Sequence, residues 1–119
     1  MGSGKVAFEA IGIYNAPENV AEMAERYKTG ETAVLLESNG SFWVFLSRGL
    51  KSTGGYAVKV SGVRLITLES GLTRLAVSYR YSDPKPSQFV TQILTYPTAL
   101  ILLKGLDRKP DEVVFEQLK

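Results

Sequence analysis

The sequence contains neither cysteine nor histidine among its 119 residues. The absence of cysteine excludes disulfides, zinc–thiolate sites and thiol nucleophiles. The absence of histidine removes the usual general base, the Ser-His-Asp triad and every imidazole metal site. We therefore expect no catalytic residue, no metal and no cofactor. The enzymatic alternative that stays open is a small enzyme that works with carboxylates or a bound metal.

A large excess of one charge and a long apolar run are also missing. Fourteen basic residues against twelve acidic ones give a net charge of +2, which is small for a dedicated nucleic-acid-binding protein. Tyr79 and Tyr81 fall on one face of a predicted strand and Arg80 on the other, so rings and cation do not converge. No run of about 18 apolar residues occurs, so we predict no membrane span. We predict no nucleic-acid partner either.

One helix is predicted, and it precedes most of the strands. Asn15 is a typical helix cap, Pro17 suits the first turn, and Gly30 is a typical stop signal. The apolar positions between them recur at spacings of three, four and seven residues, which predicts one buried stripe: Val20, Met23, Ala24 and Tyr27.

The rest of the chain favours strands. Asn39-Gly40, between Thr32–Glu37 and Ser41–Ser47, is a strong hairpin signal. Further strands are predicted at Lys5–Ile13, Tyr56–Ser61, Val63–Glu69, Leu72–Tyr81, Gln88–Thr95, Thr98–Lys104 and Val113–Glu116.

These patterns predict a mainly β (α+β) fold with one N-terminal amphipathic helix. The expected form is an antiparallel β-sandwich or a partly open barrel of about 7–9 short strands. The length fits a single domain over residues 5–119, and residues 1–4 are typical of a remnant left by cloning. The core is predicted to include Trp43 and these apolar positions: Phe8, Met23, Val44, Val58, Val77, Ile93 and Leu102.

The most unusual stretch is the loop Gly49–Tyr56. A tight turn between strands needs about two to five residues, whereas this connection uses about seven. Its glycine pair permits close approach of another backbone, and loops on a rigid sheet often carry binding residues. The predicted partner-binding residues are Lys51, Ser52, Thr53, Gly54, Gly55 and Tyr56. We expect Ser52–Gly55 to be exposed, with Tyr56 beside the contact surface. The alternative is a simple connector.

Three segments in this order resemble the PrcB-type domain, a family named for a subunit of a bacterial surface protease complex. They are Ala16–Glu22, Thr53–Val60 and Val90–Pro97. The resemblance covers roughly residues 5–104, and Phe42–Leu46 matches the strand before the glycine loop. Ser52 stands where the family often has proline, which leaves this loop less stiff.

The resemblance implies a non-catalytic accessory domain. The founding member is a lipoprotein that supports a subtilisin-like protease, and many relatives are exported, which implies a cell-envelope location. The residues and the resemblance together predict a protein-interaction module that binds a protease or envelope partner through Gly49–Tyr56. A structural domain that self-associates into a homo-oligomer is the second option, and the small carboxylate enzyme is the third.

Overall fold

The computed structural model describes residues 2–119, so Met1, the first residue of the predicted cloning remnant, lies outside the described residues. The described chain forms one α-helix and eight strands. In chain order they are β1 (Gly2–Lys5), β2 (Phe8–Ala10), α1 (Glu18–Tyr27), β3 (Glu31–Ser38), β4 (Ser41–Arg48), β5 (Ala57–Thr67), β6 (Thr73–Ser82), β7 (Thr98–Leu103) and β8 (Glu112–Leu118).

The strands form two four-stranded sheets, and this confirms the predicted mainly β, sandwich-like fold. One sheet has the order β1-β5-β6-β8 and the other has the order β2-β7-β4-β3. All strand pairs within these two sheets are antiparallel except β6 and β8, which are parallel. Turn signals could not predict that pair, because β8 returns beside a strand that is distant in sequence.

The first predicted strand, Lys5–Ile13, is wrong as a single element. β1 pairs with β5 in one sheet, and β2 pairs with β7 in the other. The chain crosses between the sheets at Val6 and Ala7: the Val6 N–H donates to Val63 in one sheet, while Ala7 accepts from Lys104 in the other. Because both halves are extended, the apolar pattern gave no sign of the crossing. Residues 2–4 of the predicted remnant take part in β1.

The hairpin is confirmed at Asn39-Gly40, where both residues have positive φ angles of 51° and 80°. Its register pairs Ser38 with Ser41 across a two-residue turn, as this dipeptide favours. The two strands predicted at Tyr56–Ser61 and Val63–Glu69 are instead one long strand, β5, with a bulge between Val60 and Gly62. A bulge interrupts the period-2 pattern in the same way that a turn would.

The helix is confirmed, but Pro17 rather than Asn15 precedes its first residue. Asn15 lies in a short 3-10 turn at Ile13–Asn15. The predicted stripe packs on the outer side of β3 and β4: Val20 and Ala24 are buried, and Met23 and Tyr27 are half-buried. Within residues 2–119, no helix has the length and apolar character needed to cross a membrane.

The main core lies between the two sheets. Its buried residues are Phe42, Val44, Leu46, Val58, Val60, Val63, Leu75, Val77, Ile101 and Leu103. Trp43 and Phe45 point to the other side of β4, where they pack under the helix. Consistent with this arrangement, β7 lies between β2 and β4, and most of its apolar run is buried.

The predicted core positions are confirmed in part. Val44, Val58 and Val77 are buried, whereas Phe8, Met23 and Leu102 are half-buried. Ile93 is wrong: it is 57% exposed.

The strand predicted at Gln88–Thr95, which contains Ile93, is also wrong. No strand of either sheet runs through it, and it makes a single isolated β-bridge from Thr95 to Lys51. Prolines at positions 84, 86 and 97 fix φ and remove backbone donors on both sides of the segment, which disfavours its joining a sheet.

Candidate functional site

The glycine loop, defined as Gly49–Tyr56, joins β4 of one sheet to β5 of the other. It does not extend freely into solvent, because the segment 84–97 lies against it. Lys51 and Thr95 exchange two backbone hydrogen bonds of 2.9 Å, and the Gly54 N–H donates to the Thr91 carbonyl over 2.9 Å. The Thr95 hydroxyl donates to the carbonyl of Thr53 at 2.8 Å. These four bonds attach the loop to the segment 84–97 at Lys51, Thr53 and Gly54.

The contact with the segment 84–97 determines which predicted site residues are accessible. Ser52 and Gly55 are exposed, whereas Lys51, Thr53, Gly54 and Tyr56 are half-buried. The expectation that all of Ser52–Gly55 are exposed is therefore wrong for Thr53 and Gly54, which the segment partly covers. The six predicted residues do lie together on one loop, and their role in binding a partner stays a prediction.

Gly55 is the position where glycine is required. Its φ is +92°, and a Cβ placed there would lie 2.8 Å from the Cβ of Pro84 and 3.1 Å from Val90. Gly54 lacks both constraints: the nearest atom to an added Cβ is 3.7 Å away on Thr91. Gly55 alone of the two glycines is thus needed for close packing of the loop on the segment 84–97.

A cationic side chain that the sequence analysis missed anchors the base of the loop. Arg48, whose side chain is only 10% exposed, pairs with Asp83 at 2.6 Å. It also donates to the Ser82 carbonyl at 3.0 Å. Its guanidinium lies 4.3 Å from the ring centre of Tyr81 and 5.1 Å from that of Tyr56. The alternation of β4 could have indicated this burial. Arg48 lies on the same face of the strand as Phe42, Val44 and Leu46, which face the core between the sheets.

Two cations approach the ring of Tyr56. Lys51 lies 5.2 Å from the ring centre, so this tyrosine accepts contacts from the loop and from Arg48 together. Contacts of this kind contribute about 0.5–2 kcal/mol, more when the cation is desolvated. Tyr56 is therefore part of the structure that holds the loop, and its half-buried ring still borders the surface.

Tyr81 is the titratable group of this region with a strongly shifted pKa. Its hydroxyl donates to Glu31 at 2.9 Å. Burial, followed by this hydrogen bond and the negative charge of Glu31, raises the pKa of Tyr81 to about 12, and nearby Tyr79 acts in the same direction. Arg48 favours the phenolate and opposes the shift, but the other effects are larger.

This shift predicts a loss of stability at alkaline pH. The folded pKa lies above the unfolded value of about 10, so the neutral phenol stabilises the fold. That contribution is fully present below about pH 10 and is lost as the pH rises toward about 12. We expect urea titrations across this range to show a smaller decline for Tyr81→Phe than for the parent. A phenolate absorbance titration in which every tyrosine ionises near pH 10 would contradict the prediction.

The segment 84–97 exposes apolar side chains next to the loop. Phe89 is fully exposed, Ile93 is 57% exposed and Leu94 is 61% exposed. On the loop itself, Leu50 is 48% exposed. Lys28, whose pKa is raised by its hydrogen bond to Glu25, reaches over the ring of Tyr96 from the helix. We call the Gly49–Tyr56 loop together with the segment 84–97 the loop surface.

The acidic residues do not gather into a site in the described part of the chain. Among residues 2–119, no three acidic side chains lie close enough to hold a metal ion. Asp83 is paired with Arg48, and Asp111 accepts hydrogen bonds from the backbone and hydroxyl of Thr73.

A groove of about 400 Å³ at the open side of the sandwich has a mainly apolar lining that includes Phe8, Val58 and Leu100.

The fold and the loop surface together define a small two-sheet β domain that displays a braced glycine loop. The family model described as PrcB C-terminal matches residues 43–104. The match covers just over half of the chain, including most of β4, the glycine loop and the segment 84–97. The chain therefore belongs to the PrcB C-terminal family, which confirms the resemblance for Thr53–Val60 and Val90–Pro97, whereas Ala16–Glu22 lies outside the matched residues. Neither the curated proteins nor the solved structures include a match.

Proposed function

We propose that this chain is a non-catalytic protein-interaction domain that binds a protein of a protease complex through the loop surface. The observation that carries the proposal is the set of exposed apolar side chains, Phe89, Ile93 and Leu94, on the segment that braces the glycine loop. Membership of the PrcB C-terminal family supports the class of partner, and a subtilisin-like protease is the specific candidate.

The chemistry of the surface suits a protein partner. The surface exposes one phenylalanine fully and two aliphatic side chains nearby in the sequence. Contact of these apolar groups with water is unfavourable, and such groups commonly contribute most of the binding energy of an interface. The loop beside them adds the hydroxyl of Ser52 and the accessible backbone of Gly55. Hydrogen bonds already join the loop to Thr91 and Thr95 of the segment, which lowers the entropy cost of ordering these residues on binding.

The test compares two leucines with similar exposure at opposite ends of β5. Leu94, on the loop surface, is 61% exposed, and Leu72, beyond the far end of β5, is 52% exposed. We expect Leu94→Asp to weaken binding to a subtilisin-like protease of the source organism by about tenfold or more, as loss of an interface anchor requires. Leu72→Asp is the control and should leave the affinity nearly unchanged. Affinities are measured by biolayer interferometry, with melting curves showing that both variants are folded.

Two results would count against the proposal. Equal affinity of the parent and Leu94→Asp would remove the loop surface from the interface. Sedimentation that shows a dimer of the parent, dissociated by Leu94→Asp, would favour self-association through the same surface.

A further inference from the structure

The outer face of the β1-β5-β6-β8 sheet is open to solvent and carries cations. The helix packs on the other sheet and leaves this face uncovered. The inward positions of β5 and β6, such as Val63 and Val77, fill the core. The alternate positions therefore point outward, and four exposed basic residues stand on them or on β1: Lys5, Lys59, Arg64 and Arg80. We call these four residues the basic stripe.

The stripe consists of two pairs of like charges. Lys5 is directly opposite Arg64 across β1 and β5, and Lys59 is directly opposite Arg80 across β5 and β6. Like charges directly opposite on one face destabilise a sheet. Arg74, on the same face, is instead neutralised by Glu112 at 2.5 Å. Among residues 2–119, no acidic side chain forms a salt bridge with a member of the stripe, although Arg80 donates a hydrogen bond to the backbone carbonyl of Lys119.

The two pairs are separated along β5. The bulge between Val60 and Gly62 brings Lys59 and Arg64 to the same face, and their partners on β6, Arg80 and Ala76, are four positions apart, which corresponds to about 13 Å along a strand. Between Lys59 and Arg64 lies Gly62, where an added Cβ would meet no atom within 4 Å. The surface between the two charged pairs is therefore low, and an extended chain could lie across it and reach both.

We propose that the basic stripe binds an extended acidic segment of a protein partner. In an extended peptide, alternate side chains point to the same side and repeat at about 6.6 Å, so acidic residues at i, i+2 and i+4 span about 13 Å. That length matches the separation of the two basic pairs. The bound carboxylates would reduce the repulsion between the two cations of each pair. The negative peptide and the positive stripe are therefore electrostatically complementary.

The same face disfavours the other anionic partners. A flat anionic bilayer would also meet Glu112 and Glu116, which share this face on β8. Single-stranded nucleic acid needs rings on which its bases can stack, and Tyr79 and Tyr81 pack against the core instead. A peptide lying along β5 avoids the glutamates and needs no stacking.

The experiment measures fluorescence anisotropy of a labelled peptide of alternating glutamate and serine at low and physiological salt. The test variant is Lys59→Gln with Arg64→Gln. The control is Arg26→Gln with Lys109→Gln, which removes one lysine and one arginine that are exposed away from the stripe. We expect the test variant to bind the peptide about tenfold more weakly and the control to stay within about twofold of the parent. The melting temperature of the test variant should equal or exceed that of the parent.

Equal weakening in both variants would show an effect of net charge alone and overturn the proposal. Tighter binding of the parent to phosphatidylserine vesicles or to an oligothymidine than to the peptide would overturn the choice of partner. Concentration-dependent self-association of the parent that the test variant lacks would make a second copy the occupant instead. Leu94→Asp should bind the peptide like the parent, so this proposal and the proposed function fail independently.

Discussion

Replacing Ile101 by alanine lowers the free energy of unfolding by about 2–5 kcal/mol, the range for large-to-small changes in a core. Ile101 is 2% exposed and packs in the core between the two sheets. It lies on β7, with β2 on one side and β4 on the other, so the cavity has little room to collapse. Urea denaturation monitored by circular dichroism measures the change.

The matched control is a second isoleucine, Ile93, which is 57% exposed on the segment 84–97. Ile93→Ala should change stability by less than about 0.5 kcal/mol, as expected for surface substitutions. Similar losses in the two variants would mean that the segment 84–97 packs as a core element, against the structure described above.

The second large effect concerns the glycine pair, where the two glycines should respond differently. Gly55→Ala should cost about 2–4 kcal/mol, because a positive φ is strained for alanine and the new methyl overpacks the site. The methyl would lie 2.8 Å from the Cβ of Pro84, whose ring cannot rotate away. Urea denaturation again gives the free energy.

Gly54→Ala is the control for this prediction. Its nearest neighbours, on Thr91, lie at an ordinary contact distance of 3.7 Å, so the loss should stay below about 0.5 kcal/mol. If Gly54→Ala were the more destabilising change, the loop would pack on the segment 84–97 in another way. A binding study that replaces both glycines would mix folding with recognition, so Leu94→Asp is the better probe of the interface.

Local patterns predicted the elements whose geometry depends on near neighbours. The Asn39-Gly40 hairpin, the helical stripe and the alternation of β6 are confirmed, because turn chemistry and periodicity act over a few residues. Local patterns missed the crossing at Val6 and Ala7 and the bulge in β5. The chain is extended before and after both features, so its apolar pattern does not reveal them.

The candidate site was predicted only in part. The pattern located the glycine loop, but not the role of Arg48, because its partners Asp83 and Tyr81 lie more than thirty positions away. It placed Ile93 in a strand because local alternation does not show whether a segment pairs with a sheet or packs irregularly against a loop.

The sequence by itself determined the fold class, the helix and the PrcB C-terminal family, since periodicity, turn residues and family motifs are all properties of local sequence. Only the tertiary structure decided which loop residues are accessible and which cations share a face. The basic stripe consists of residues that are separated in the sequence: Lys5, Lys59, Arg64 and Arg80. The small net charge of +2 gives no indication of a basic surface. Strand register brings the four residues together, and register is fixed by the burial of the opposite face of the sheet.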